Sequence, residues 1–106
     1  MNVTKLKETI QKRKELDPND DFPTKDCWNE EIDILTKDID GAIDFIKTCT
    51  EEEFYWLSEV FDDVISKTQS KVLYQAMVDR NETLENQEFK ESNRTDLLYA
   101  NEALKD

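Results

Sequence analysis

Carboxylates are the only reactive side chains this chain holds in number: 26 Asp and Glu against 14 Lys and Arg, with no histidine and two cysteines. Without imidazole, the usual general base, the Ser-His and Cys-His nucleophile pairs and the commonest metal ligand are all missing. Paired carboxylates could still run acid–base chemistry or hold a cation. Any acidic helix, however, brings Asp and Glu together at i, i+3 and i+4, so the pairs here read as solvated charge. Two segments carry fragments of a calcium loop. Asp17-Pro18-Asn19-Asp20-Asp21 has the D-x-N-x-D start, but Phe22 stands where the sharp turn needs glycine and Trp28 where a bidentate glutamate is needed. Placing Gly41 at the sixth position puts Thr36 first and Lys47 twelfth, and both fail. If one helix spans Cys27 and Cys49, their Cα atoms are ~33 Å apart, too far for a disulfide or a shared zinc ion. Free thiols are expected, and neither a metal nor a cofactor is.

What the charge can do is bind. The formal net charge is −12. Residues 1–14 carry +4, residues 15–66 carry −14 and residues 67–106 carry −2, so the middle of the chain is the acidic part. Such a field repels nucleic acid and anionic lipid and speeds the capture of basic partners, by ~10- to 1000-fold at low salt. Acid kept only for solubility would look the same. An acidic plug that mimics a phosphate backbone and blocks a nuclease also fits the charge map. The bases Lys5, Lys7, Lys12, Arg13 and Lys14 read as charge balance within the fold rather than a nucleic-acid site. The first residues lack the apolar run of a signal peptide and no stretch approaches 18 apolar residues, so a cytoplasmic protein with no membrane contact is expected. The sequons at Asn2, Asn81 and Asn93 then carry no weight.

The elements that must position this charge are helices. One glycine and two prolines leave little punctuation for hairpins, and 106 residues make one domain. An all-α fold is expected, a single compact bundle of about five helices. Val3, Leu6 and Ile10 mark a first amphipathic helix over residues 2–16, and the Pro- and Asp-rich residues 17–25 a loop. From Asp26 as N-cap, Trp28, Ile32, Leu35, Ile39, Ala42, Ile43 and Ile46 share one face, which predicts a single helix over 26–48 running through Gly41. Ile34, Gly41 and Phe45 form a second, weaker stripe, read as contact within the chain, with a homodimer seam as the alternative. Thr50 and Glu53 have capping-box spacing and start a central helix over 51–67, with Phe54, Leu57, Val60, Phe61, Val64 and Ile65 turned to the core and Trp56 at its margin. A short helix to about Arg80 follows, with Leu73, Ala76 and Met77 inside and Val72, Tyr74 and Val78 widening that face. Residues 81–96 read as a loop or a poorly packed helix, and Leu97, Ala100, Ala103 and Leu104 as one face of a closing helix.

Tyr55 points away from the core arc of the central helix into a patch of Glu51, Glu52, Glu59 and Asp62, with Asp63 alongside. An aromatic anchor ringed by acid is a recognisable binding feature. The favoured partner contacts are therefore Tyr55, Glu52, Glu59, Asp62 and Asp63, then Asp33, Asp40 and Asp44 on the preceding helix.

The segment FYWLSEVFDDVISKTQSKVLYQAMVDR, residues 54–80, resembles a stretch of the small helical immunity proteins of bacterial polymorphic-toxin and contact-dependent growth inhibition systems. The matching residues are Trp56, Ser58, Glu59, Val60, Phe61, Asp62, Asp63, Lys67, Gln69, Ser70 and Lys71, with LLYANEAL at 97–104 a weaker echo. After Arg80, NETLEN departs from the basic, proline-containing turn of that pattern. The resemblance implies a cytoplasmic antidote that binds one cognate toxin, often a basic nuclease, and occludes it with an acidic face. The alternative on the residues alone is an acidic helical adaptor or secretion chaperone.

Overall fold

Apolar residues at helical spacing and a near absence of glycine leave the chain few ways to pair strands. The computed structural model describes residues 1–17, 19 and 21–105, apart from the side chains of Asp21 and Phe22, and every regular element among them is helical. In order these are α1 (Val3–Glu15), α2 (Asp21–Lys37), α3 (Ile39–Thr48), α4 (Glu51–Leu57), a 3-10 turn (Ser58–Val60), α5 (Phe61–Thr68), α6 (Lys71–Glu82) and α7 (Gln87–Ala103). The all-α expectation holds. Both of the expected long helices are divided into shorter ones.

The expected helix over 26–48 is α2 followed by α3. It starts earlier, at Asp21, with Pro23 in its first turn, where a missing N–H deprives no carbonyl of a partner. Asp26 is thus inside α2 rather than its N-cap, and the loop over 17–25 shrinks; the calcium-loop fragment lies partly outside the described residues. Asp38 then interrupts the coil with extended backbone (φ −147°, ψ 90°), and its carboxylate accepts the Gly41 N–H at 2.9 Å to cap α3. The apolar phase survives the break: Ile32, Leu35, Ala42 and Ile46 are all buried. Gly41 keeps its place for lack of a side chain, since a Cβ would lie 2.6 Å from Asp38 Oδ2 and 2.9 Å from Met1 Cβ.

At Thr50 the capping box forms: its hydroxyl accepts the Glu53 N–H at 3.1 Å, and the Glu53 carboxylate accepts the Thr50 N–H at 2.9 Å. The central helix is then tightened into the 3-10 turn, where Ser58 Oγ donates to the Tyr55 carbonyl at 2.5 Å. Its core arc is as expected, with Phe54, Leu57, Val60, Phe61, Val64 and Ile65 buried and the Phe54 and Phe61 rings 5.1 Å apart. α5 lies along α7, α3 against α6, and α1 against α2 and α4.

Residues 81–96 are helical over most of their length, the second of the two readings expected for them. Few apolar side chains hold them; polar ones do. Asn93 Nδ2 donates to Asn81 Oδ1 at 3.1 Å in the interior, and Asn81 Nδ2 to the Lys90 carbonyl at 3.2 Å. Glu51 of α4 accepts the N–H groups of Glu85 and Asn86 at 3.0 and 2.9 Å, ahead of the start of α7. Two of the three sequon asparagines are therefore buried structural residues. Val72 departs from its expected place, being 70% exposed.

The break at Asp38 makes a prediction whose sign decides it. In an unbroken helix Asp38→Ala would raise stability through better propensity; with Asp38 as cap, the thermal midpoint should fall by roughly 4–8 °C. A raised midpoint would restore the single helix.

Candidate partner-binding surface

The basic first helix and the acidic middle meet inside the fold. Along α1, Lys5 Nζ lies 4.0 Å from Glu30, Lys7 Nζ 4.0 Å from Glu53 and Arg13 Nη2 2.8 Å from Glu59, while Lys14 pairs with Glu52. The +4 segment is thus spent largely on the carboxylates of α2, α4 and the 3-10 turn. Pairs as long and exposed as the first two contribute little each, but they cancel field locally.

Glu59 is the centre of this neutralisation. Arg13 donates from Nε and Nη2 to its two oxygens at 3.0 and 2.8 Å, and Trp28 Nε1 adds a third bond to Oε2 at 2.7 Å. The guanidinium also lies over the Trp56 ring, 5.1 Å from its centroid, and 6.0 Å from that of Trp28. Fork geometry and two aromatic faces suit arginine and not lysine. A carboxylate from the turn, a guanidinium from α1 and an indole from α2 therefore form one knot.

Beside it sits Glu31 of α2, fully buried, with neither carboxylate oxygen hydrogen-bonded. Burial first, then the Glu59 charge, lifts its pKa from an ordinary 4.5 to about 8, against a smaller pull from Arg13. The group is therefore a neutral acid at pH 7. Asp96 on α7 is half-buried and raised too, by desolvation foremost, with Asp62 and Glu59 adding to it and the Ser58 hydroxyl opposing. Sequence reading passed over both. For Glu31 a signal existed: it falls on the α2 face between Cys27 and Leu35, both buried, where an acid must be neutral or paired.

The eight favoured contacts separate into distinct places. Glu59 and Glu52 are held by α1, and Asp33 by Lys37 at 2.9 Å. Tyr55 is half-buried, its ring stacked on Phe89 at 4.3 Å and set edge-on to Trp56 at 5.4 Å, so it is not an exposed anchor ringed by acid. Asp62 and Asp63 lie together on α5, where desolvation and then the Asp62 charge raise Asp63. Asp40 and Asp44 line a groove beside α3. Among the described residues, these last four carry no ion pair.

Cys27 and Cys49 are free and buried, and burial pushes the Cys49 thiol up to about 11, so neither is poised as a nucleophile. No cluster of potential metal ligands occurs among the described residues, and no described helix is long and apolar enough to cross a membrane. No protein-family model, curated protein or solved structure matches this chain.

Two predictions follow from the knot and its neighbour. Glu59→Ala strands Arg13 and the Trp28 N–H, and should lower unfolding free energy by about 2–3 kcal/mol, whereas Asp44→Ala should stay within about 0.5 kcal/mol. Equal losses in chemical denaturation would remove the distinction. Because Glu31 holds in the fold a proton that the unfolded chain releases, its contribution is full below pH ~4.5 and is lost as pH rises to about 8. Asp63 and Asp96 act in the same direction, while Glu51 and Asp38, both lowered, act oppositely and in the acid range. Glu31→Met should flatten the fall in stability between pH 5 and 8, with a ceiling of about 5 kcal/mol on the difference. An unchanged slope would show that Glu31 is charged in the fold.

Proposed function

We propose that this chain is a binding protein for a basic protein partner, and more specifically an immunity protein that neutralises a cognate bacterial toxin in the cytoplasm by covering it with acid. One observation carries the reading. After α1 has paired with Glu30, Glu52, Glu53 and Glu59, Asp40, Asp44, Asp62 and Asp63 remain without ion pairs among the described residues. Charge left uncancelled on a stable helical scaffold steers a partner of opposite sign, and a nuclease that holds phosphate is such a partner. The resemblance of residues 54–80 to immunity proteins supports the sharper form, although Glu59, among the matching residues, has a folding role.

The reading requires a large secreted protein with a C-terminal toxin domain to be encoded directly upstream, and the test is co-expression with that domain. Growth should be restored, and association of the purified pair should slow about tenfold or more between 50 and 500 mM salt. Loss of growth despite a folded chain would remove the toxin-neutralising role. A complex that forms without protection would favour an adaptor or chaperone.

A further inference from the structure

We infer that the groove between the first residues of the chain and α3 is where a basic protein partner seats an arginine or lysine side chain. The inference rests on the reading above and says where, and by what chemistry, that partner is gripped. The groove encloses about 490 Å³. Met1, Val3 and Phe45 supply apolar lining, and Asp38, Asp40 and Asp44 supply carboxylates. Met1 and Val3 are 36% and 41% exposed, so the mouth is apolar surface open to water, while Phe45 is buried.

A long cationic side chain is the occupant that uses both features. Its methylenes cover Val3 and its head reaches the acids. A purely apolar side chain would desolvate the carboxylates without pairing them, and an acidic one would be repelled. Asp40 and Asp44 stand one turn apart on α3, exposed and without ion pairs among the described residues. Asp38 already shows the chemistry the groove favours, for its Oδ2 accepts from the Met1 ammonium at 3.1 Å. Besides the Met1 ammonium, Lys7 is the base in the lining, and its Nζ is drawn to Glu53 at 4.0 Å. On α5 the charge of Lys67 already acts on Asp63.

An oligo-arginine peptide titrated into the isotopically labelled chain, followed by amide chemical shifts, tests the assignment, with spermidine as a parallel arm. Shifts should centre on Val3, Asp40, Gly41 and Asp44 and saturate. Asp40→Asn with Asp44→Asn should weaken the peptide more than about tenfold, and Asp62→Asn with Asp63→Asn should leave it unchanged. Val3→Ser, at the exposed lip, gives a second measure that removes no charge and should also weaken binding. Circular dichroism melts establish that each variant is folded. Shifts centred on Asp62, Asp63 and Asp96, shifts spread over every acid, or an undiminished affinity in the Asp40/Asp44 variant would overturn the groove. Spermidine binding there as tightly as the peptide would make the occupant a free polyamine and overturn the protein assignment. If the Asp40/Asp44 variant rescues toxin-expressing cells as well as the native chain, the groove fails and the immunity reading stands. If the native chain does not rescue them while the peptide docks on α3, the reverse holds.

Discussion

The carboxylate of Glu59 is the point on which this arrangement of helices depends. It lies on a three-residue turn and is held from two directions, by the Arg13 fork of α1 and the Trp28 indole of α2. A partly buried carboxylate with three charge-assisted or aromatic N–H donors is well compensated, whereas the same group with any donor removed is a stranded charge. α1 has only Leu6 and Ile10 as large apolar side chains fully inside the core, so its docking needs this ionic contribution. Glu31 extends the constraint. A second anion beside Glu59 would compete for Arg13, and the low polarity that makes the knot strong is what keeps Glu31 protonated.

Helix ends show a related economy. The chain has a single glycine, which cannot serve several C-caps, and side chains from distant elements close the ends instead. Arg80 of α6 donates to the Ile46 and Cys49 carbonyls at 3.1 and 2.8 Å, at the C-terminal end of α3. Gln69, itself left-handed at φ 51°, ends α5 and reaches across to the Ala103 carbonyl and the Lys105 N–H, both at 2.8 Å. Glu51 does the corresponding work ahead of α7, which holds its carboxyl below the usual range. Each cap is also a tertiary contact, so local helix termination and global packing are the same interaction here. That fixes the relative placement of α3, α6 and α7 without a larger apolar core.

This coupling explains what could be read in the sequence and what could not. Local features were legible: the Thr50–Glu53 box acts within four residues, and the apolar arc from Phe54 to Ile65 repeats at helical period. The break at Asp38 was hidden because the apolar stripe keeps its phase across it. Periodicity reports which side faces the core, and it is blind to a cap that rotates nothing. The start of α7 was hidden for a different reason. Its buried face includes Asn93 paired to Asn81, and amides do not register as apolar periodicity. Among the candidate contacts, Glu59 and Tyr55 looked exposed on a helical wheel, and only the docking of α1 and of Phe89 covers them.

A chain carrying −12 uses part of its acid in folding and leaves part of it free. Acids that fold the protein have donors: Glu59 has Arg13 and Trp28, Glu51 has two backbone N–H groups, and Asp38 has Gly41 and the Met1 ammonium. Of the candidate contacts, the acids left without ion pairs among the described residues are Asp40 and Asp44 on α3 and Asp62 and Asp63 on α5. The distinction matters because a residue cannot give the same lone pairs to a helix end and to a partner; recruiting Glu59 for binding would first require α1 to release it. Net charge alone would have favoured the whole middle of the chain. Subtracting the internal donors leaves Asp40, Asp44, Asp62 and Asp63 among the candidate contacts, and of these Asp40 and Asp44 line the groove with Met1 and Val3. Binding affinity in water comes from such junctions, where burial of a cationic side chain's methylenes and pairing of its head occur in one step.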